Sequence, residues 1–307
     1  MRVVYFGTPA FAVPSLRALV AEGIEVLGVV TQPDRPQGRS RSVLIAPPVK
    51  DAATELGLSV QQPERPRGDV FLAWLKRLAP DLGVVVAYGH ILRPEILAVP
   101  SFGMINVHAS LLPRHRGAGP IAAAILAGDD TTGVSIMQMD AGMDTGAVLH
   151  QAATPIAPFD TTGTLTERLA GLGARALVDV VGDMEREEAV AVPQDDARAT
   201  LAPKLDRDSA RLRWSSGSEQ VSRRIRAYDP APGAWTVFEG IEVKCFGPTI
   251  VSEPADPGLV VGSEPMLIVG TGDASVALAE VQPAGKRRMP ATEWTRGRGA
   301  RPGQRFS

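Results

Sequence analysis

The strongest constraint on this chain is the alternation of strand-like and helix-like patterns through its first half. Arg2–Phe6 is a short apolar run that ends in Gly7-Thr-Pro. A helical pattern follows, with Phe11, Leu16, Leu19 and Val20 on its apolar face and Gly23 as its stop. Glu25–Thr31 is rich in β-branched residues, and Gln32–Pro48 is a proline-rich loop carrying Arg35, Arg39 and Arg41. Val49–Leu56 and Val70–Leu78 read as helices, Asp81–Tyr88 and Phe102–His108 as strands, and Ile121–Ala127 as a short helix. Gly133–Met139 and Ala147–Ile156 follow as a strand pair, and Asp160-Thr-Thr-Gly opens a helix that runs to about Met184. Strands spaced by helices predict an α/β, Rossmann-like domain with a mainly parallel sheet covered on both faces. Chemistry in such sheets collects beyond the carboxyl ends of the strands, where Tyr88, His108 and the Asp140–Asp144 turn are expected to meet.

With 307 residues the chain is long enough for two domains. An acidic stretch over 179–196 runs into Ala189–Pro203, which is polar and carries Pro193 and Pro203, so the helix-and-strand alternation is expected to stop there. The division predicted is a domain over 1–188, a linker over 189–206 and a second domain over 207–307. Past the linker come a basic helix, Glu219–Ala227, and short strands at Trp235–Phe238, Glu242–Phe246, Leu259–Val261, Leu267–Val269 and Ser275–Leu278. Short strands with glycine-rich turns imply a small β-barrel or sandwich. The formal net charge is −2, yet the last third holds Arg207, Arg211, Arg213, Arg223, Arg224, Arg226, Lys286, Arg287, Arg288, Arg296, Arg298, Arg301 and Arg305. That distribution suits a polyanionic partner and equally suits a solvated face with a flexible tail over 291–307. The single cysteine, Cys245, lies in a strand-like alternation and reads as a packed side chain. The amino end has no signal-peptide pattern and no apolar run reaches membrane-span length, so a cytoplasmic protein is expected.

Asn106 and His108 end an apolar strand and, two residues apart, point to one face of it. A carboxamide donor and a titratable ring aimed at one atom are parts of a site that adds a nucleophile to a carbonyl. Asp140 and Asp144 supply carboxylates in the glycine-rich turn Met139-Asp-Ala-Gly-Met-Asp-Thr-Gly146, and the residues alone do not choose between them. Of the other histidines, His150 reads as structural, His115, between Arg114 and Arg116, as a solvated loop residue, and His90 as a cleft-lining one. The run Ser110-Leu-Leu-Pro113 has neither helix nor strand period, so its backbone groups could read a planar heterocycle. Gly7-Thr-Pro-Ala lacks the dinucleotide fingerprint, no Walker-type Gly-Lys-Ser/Thr occurs, and no ligand spacing suggests a metal.

The run Asn106-Val-His-Ala-Ser-Leu-Leu-Pro-Arg-His-Arg-Gly-Ala-Gly-Pro-Ile121 closely resembles the signature of the methionyl-tRNA formyltransferases, a folate-dependent family. So do Thr31–Arg39, Val84–Gly89, Ile136–Gly146, Ile225–Pro230 and Val281–Lys286, in the same order. This resemblance implies formyl transfer from 10-formyltetrahydrofolate to methionyl initiator tRNA by a monomer without a metal. It assigns catalysis to Asn106, His108 and Asp144, and folate contacts to Ser110, Leu111, Leu112, Pro113, Tyr88 and Asp140. It assigns tRNA contacts to Arg35, Arg39 and Arg41, and an OB-like, tRNA-facing barrel to the second domain. The chain departs from the family pattern at His90, Ala231 and Val281, and is less charged after Arg39. Two other readings are an amino sugar-nucleotide formyltransferase and a non-catalytic folate- or nucleotide-binding module. The loop at 31–41 and the basic last third favour tRNA over the former, and the intact trio argues against the latter.

Overall fold

The computed structural model describes residues 1–37, 43–297 and 299–307. They fall into two compact units, one gathering residues 1–117, 132–154 and 166–201, the other residues 118–131, 155–165 and 202–307. The chain begins with β1 (Arg2–Gly7), α1 (Val13–Ala21), β2 (Glu25–Val30), β3 (Arg35–Gln37) and β4 (Val43–Ile45). It continues through α2 (Pro48–Glu55), β5 (Val60–Gln61), α3 (Asp69–Leu78), β6 (Leu82–Val86), α4 (Pro94–Leu97) and β7 (Met104–His108). Then come α5 (Pro120–Ala127), β8 (Thr131–Gln138), β9 (Val148–Pro155) and α6 (Thr162–Glu185).

The first unit is built on a sheet of order β5-β2-β1-β6-β7-β8-β9. β5, β2, β1, β6 and β7 are parallel, and β8 is antiparallel to β7. Every residue of β6 is buried, as expected of a Leu/Val run covered on both faces. On one face Val4, Phe6, Phe71, Leu75, Tyr88 and Ile96 form a core, with the Phe6 and Tyr88 rings edge to face at 5.5 Å. The long helix α6 comes close to β7 at Gly173, where a Cβ would stand 2.8 Å from Val107 Cγ1. The antiparallel pairing of β8 matters for the site. Its end, Gln138, lies opposite Ile105, and the Met139 amide bonds the Met104 carbonyl. The turn after β8 therefore leaves from the start of β7, not from its carboxyl end.

The second unit carries α7 (Ser218–Ala227), β10 (Trp235–Phe238), β11 (Ile241–Val251), β12 (Val260–Gly262), β13 (Leu267–Gly270), β14 (Ser275–Pro283), β15 (Met289–Pro290) and α8 (Ala291–Arg296). Its strands pair antiparallel in the order β10-β11-β14-β13-β12, with β15 on β14. This is the curled, OB-like half-barrel that the sequence predicts. β11 is longer than expected. It runs past Phe246, where Gly247 takes φ +60° and pairing resumes with Pro248 opposite Leu278.

The tail also differs from the flexible segment expected of its glycines and arginines. The Val260 amide donates to the Gln304 carbonyl at 2.9 Å, and the Ser307 amide to the Val237 carbonyl at 2.9 Å. Residues 304–307 thus join β12 and β10, the two ends of the strand order. Phe306 is buried against Trp214, Phe238 and Trp294, with ring centroids at 5.7, 5.2 and 6.2 Å. A ring packed this way outweighs the conformational freedom of the glycines around it. Phe306→Ala should cost about 3–5 kcal/mol, read from the urea transition of the second unit by tryptophan fluorescence. A loss below about 1 kcal/mol would mean that the tail is not pinned.

Candidate active site

β7 delivers Asn106 and His108 to one side of the sheet. The Asn106 amide Nδ2 donates to the Val85 carbonyl of β6 at 3.2 Å. That bond uses one of its two N–H groups and fixes which way the amide faces; the other has no protein partner among the described residues. His108 is only 6% exposed. Its Nε2 lies 3.0 Å from the His115 carbonyl oxygen. A carbonyl can only accept, so Nε2 carries the hydrogen and Nδ1 is the bare nitrogen of the neutral ring. Nδ1 faces Asp144 Oδ2 at 3.6 Å. Burial holds the imidazole below the ordinary histidine range, while Asp144 and the His115 carbonyl pull it partly back. The site thus rests with a bare ring nitrogen beside a carboxylate, a pair short of one proton.

The two aspartates of the turn do different things. Asp140 is exposed and caps its own loop, accepting from the Gly142 amide at 2.9 Å and from Thr145 Oγ1 at 2.7 Å. Asp144 comes back along the sheet from the start of β7 to its end, and accepts the Gly117 amide on Oδ2 at 2.8 Å. Asp144 takes φ +55°, a left-handed conformation that costs a residue with a Cβ about 1 kcal/mol or more. Two residues on, Gly146 admits no side chain, because a Cβ there would lie 1.8 Å from the Gln138 carbonyl oxygen.

The loop 110–113 is held mainly by protein groups. Ser110 is fully buried; its Oγ donates to the Arg114 carbonyl at 2.6 Å, and its carbonyl accepts Ser135 Oγ at 2.7 Å. The Leu112 amide donates to Ser135 Oγ at 3.0 Å, and Gln151 Nε2 donates to the Leu112 carbonyl at 2.9 Å. Leu112 is buried, while Leu111 and Pro113 are partly exposed. The loop is a preorganised support more than a row of open backbone groups. Tyr88 turns its ring into the core, where burial raises its phenol and leaves the hydroxyl without a partner among the described residues. The neighbouring His90 Nε2 is likewise unpartnered, with the two rings 5.4 Å apart. Arg35 is exposed on β3 and donates to Gln32 Oε1 at 3.2 Å. Arg39 and Arg41 lie outside the described residues.

His115 is not the solvated loop residue expected between two arginines. It is 6% exposed at φ +59°, and its amide donates to Thr200 Oγ1 at 2.8 Å. Thr200 belongs to the polar stretch that reads as a linker. Instead of standing free, this stretch bonds along the site. Val192 pairs with Val148, Gln194 reaches the Asp144 and Gly146 carbonyls, Asp196 meets Arg116, and the Arg116 amide donates to the Thr200 carbonyl at 2.8 Å. Arg116, Gln194, Thr200, Ser135 and Gln151 are therefore site-supporting residues that sequence reasoning misses. Their partners are distant in sequence, and no local periodicity marks them.

The buried ring has a measurable consequence. Unfolded, His108 takes up a proton near the ordinary value of 6.5; folded, it does so only at lower pH. The stability it contributes is complete above that ordinary value and is lost as pH falls through the lowered folded one. His108→Gln should flatten the fall of the first unit's urea midpoint between about pH 7 and about pH 5. An equal fall in both proteins would contradict a buried neutral ring.

Residues 1–181 match the formyl transferase family, and residues 204–299 match the formyl transferase C-terminal domain. The methionyl-tRNA formyltransferase of Thermobifida fusca is 46% identical over 308 residues, covering 100% of this chain and 99% of that one. The methionyl-tRNA formyltransferase of Roseiflexus sp. is 45% identical over 301 residues, 97% of this chain and 92% of that one. A solved N-formyltransferase from Helicobacter canadensis, in complex with folinic acid and dTDP-3-aminofucose, shares the fold at a TM-score of 0.68. It is 16% identical, with 94% of this chain and 99% of that one covered. With this identity along its whole length, the chain belongs to the methionyl-tRNA formyltransferase family.

Proposed function

We propose that this chain transfers the formyl group of 10-formyltetrahydrofolate to the α-amino group of methionyl initiator tRNA, giving N-formylmethionyl-tRNA for translation initiation. The observation that carries this reading is the identity of about 45% to methionyl-tRNA formyltransferases over both domains. The site chemistry supports it. Asn106 Nδ2 keeps an N–H for the formyl oxygen, which gains negative charge as the amine adds. His108 Nδ1 takes the proton that the attacking amine sheds, and Asp144 stabilises the imidazolium that forms. The same ring returns that proton to N10 of the leaving tetrahydrofolate, so the proton moves from amine to N10 with none gained or lost. With Nε2–H engaged by the His115 carbonyl, oxyanion stabilisation falls to Asn106 and proton transfer to Nδ1.

Ser110, Leu111, Leu112, Pro113, Tyr88 and Asp140 are the folate-contacting residues in our reading. Arg35, Arg39 and Arg41 meet the tRNA acceptor stem, and the basic second domain, bounded as 207–307 behind the segment 189–206, adds a phosphate-facing surface. No described helix is long and apolar enough to cross a membrane. A monomer working in the cytoplasm fits the role.

Incubation with 10-formyltetrahydrofolate and either methionyl initiator tRNA or an amino sugar-nucleotide tests the assignment directly. Formyl-methionyl-tRNA is the expected product, and a formylated sugar alone would overturn the reading. Loss of one preorganised oxyanion donor typically costs about 3–4 kcal/mol, so Asn106→Ala should lower kcat by roughly two to three decades. A near-normal kcat in that variant would remove Asn106 from the mechanism.

A further inference from the structure

The left-handed backbone of Asp144 has to be held by its surroundings, and two elements do so. Gln194 Nε2 donates to the carbonyls of Asp144 at 2.9 Å and Gly146 at 2.7 Å, straddling Thr145. Its Oε1 accepts from Arg116 Nε at 3.0 Å and Nη2 at 2.8 Å. Because a guanidinium only donates, Arg116 fixes which end of the carboxamide faces Asp144. Arg116 is buried, and its Nη2 also donates to Asp196 at 2.7 Å. The adjacent Gly117 amide binds the Asp144 carboxylate itself. Two neighbouring residues thus govern the main chain and the side chain of one aspartate, the first of them through Gln194.

We propose that Gln194, oriented by Arg116, is a positioning residue that holds Asp144 against His108 and takes no direct part in the chemistry. The inference rests on the role proposed above for Asp144. Glutamate at 194 keeps the length and the Arg116 partner, but removes both donated N–H groups and sets a carboxylate against two carbonyls. A misplacement of about 1 Å can cost two decades, so Gln194→Glu should lower kcat by roughly 30–100-fold. KM for both substrates should stay within about twofold, since no contact with substrate is removed.

The acid limb of kcat reports protonation of His108. Burial and the His115 side chain lower that ring's affinity for protons, against Asp144 and the His115 carbonyl behind the ring, which raise it. A displaced Asp144 should therefore move the limb to lower pH, which a merely structural defect would not do. Asp144→Asn combined with Gln194→Glu should be no slower than Asp144→Asn alone, because the second change then acts on nothing. A slow Asp144→Asn with wild-type kcat and acid limb in Gln194→Glu would overturn the positioning role alone. Near-normal kcat in Asp144→Asn would sink the role of Asp144 and this inference with it. A Gln194→Glu defect confined to KM for tRNA would also overturn it. If Gln194→Glu does not fold, Arg116→Lys, which keeps the charge but loses the fork, is read by the same criteria with a smaller drop expected.

Discussion

The contact on which the rest depends is the approach of Asp144 Oδ2 to the bare Nδ1 of a buried His108, 3.6 Å away. Burial alone would make the ring a weak base, and an adjacent carboxylate in water would be heavily screened. Set together they make a proton acceptor that is neutral at rest and stabilised once charged. The His115 carbonyl decides which nitrogen serves, by engaging Nε2–H from behind. The Gly117 amide decides where the carboxylate sits. Both come from the loop after β7, so the strand that supplies the ring also leads into the groups that tune it.

The sheet explains why so much support is needed. Five parallel strands bring their carboxyl ends to one edge, but β8 runs the other way. Its connection to β9 has to travel back along the sheet before Asp144 can reach His108. A loop that travels this far has no ladder to define it. Its definition comes from Asp140 capping the turn at Gly142 and Thr145, from the close fit at Gly146, and from Gln194 across the chain. In the second unit the same task of closure falls to residues 304–307, which join strands at opposite ends of the order.

Much of this is legible in the sequence, for identifiable reasons. The Leu82–Val86 run, and the strand-to-helix alternation from Arg2 to the Gly23 stop, are local signals for a mainly parallel α/β sheet. Asn106 and His108 announce themselves because strand alternation places i and i+2 on one face. What stays hidden is non-local. Periodicity is the same whichever way a strand runs, so it cannot reveal that β8 is antiparallel. Gln194 sits in a stretch whose prolines and acids resemble a linker, and its partners lie between 48 and 78 residues away. The strand expected over Glu242–Phe246 falls short of the real one because a local rule cannot see the partner strand that resumes pairing at Pro248. His115 looks solvated only because its flanking arginines do.

The tautomer of His108 is the most direct probe of this account, and nitrogen-15 imidazole spectroscopy of the full-length protein at about pH 7 reads it. A neutral ring with its hydrogen on Nε2 and a bare Nδ1 is the result predicted. An imidazolium at that pH, or a hydrogen resting on Nδ1, would contradict the proton-poor pair on which the proposed transfer depends.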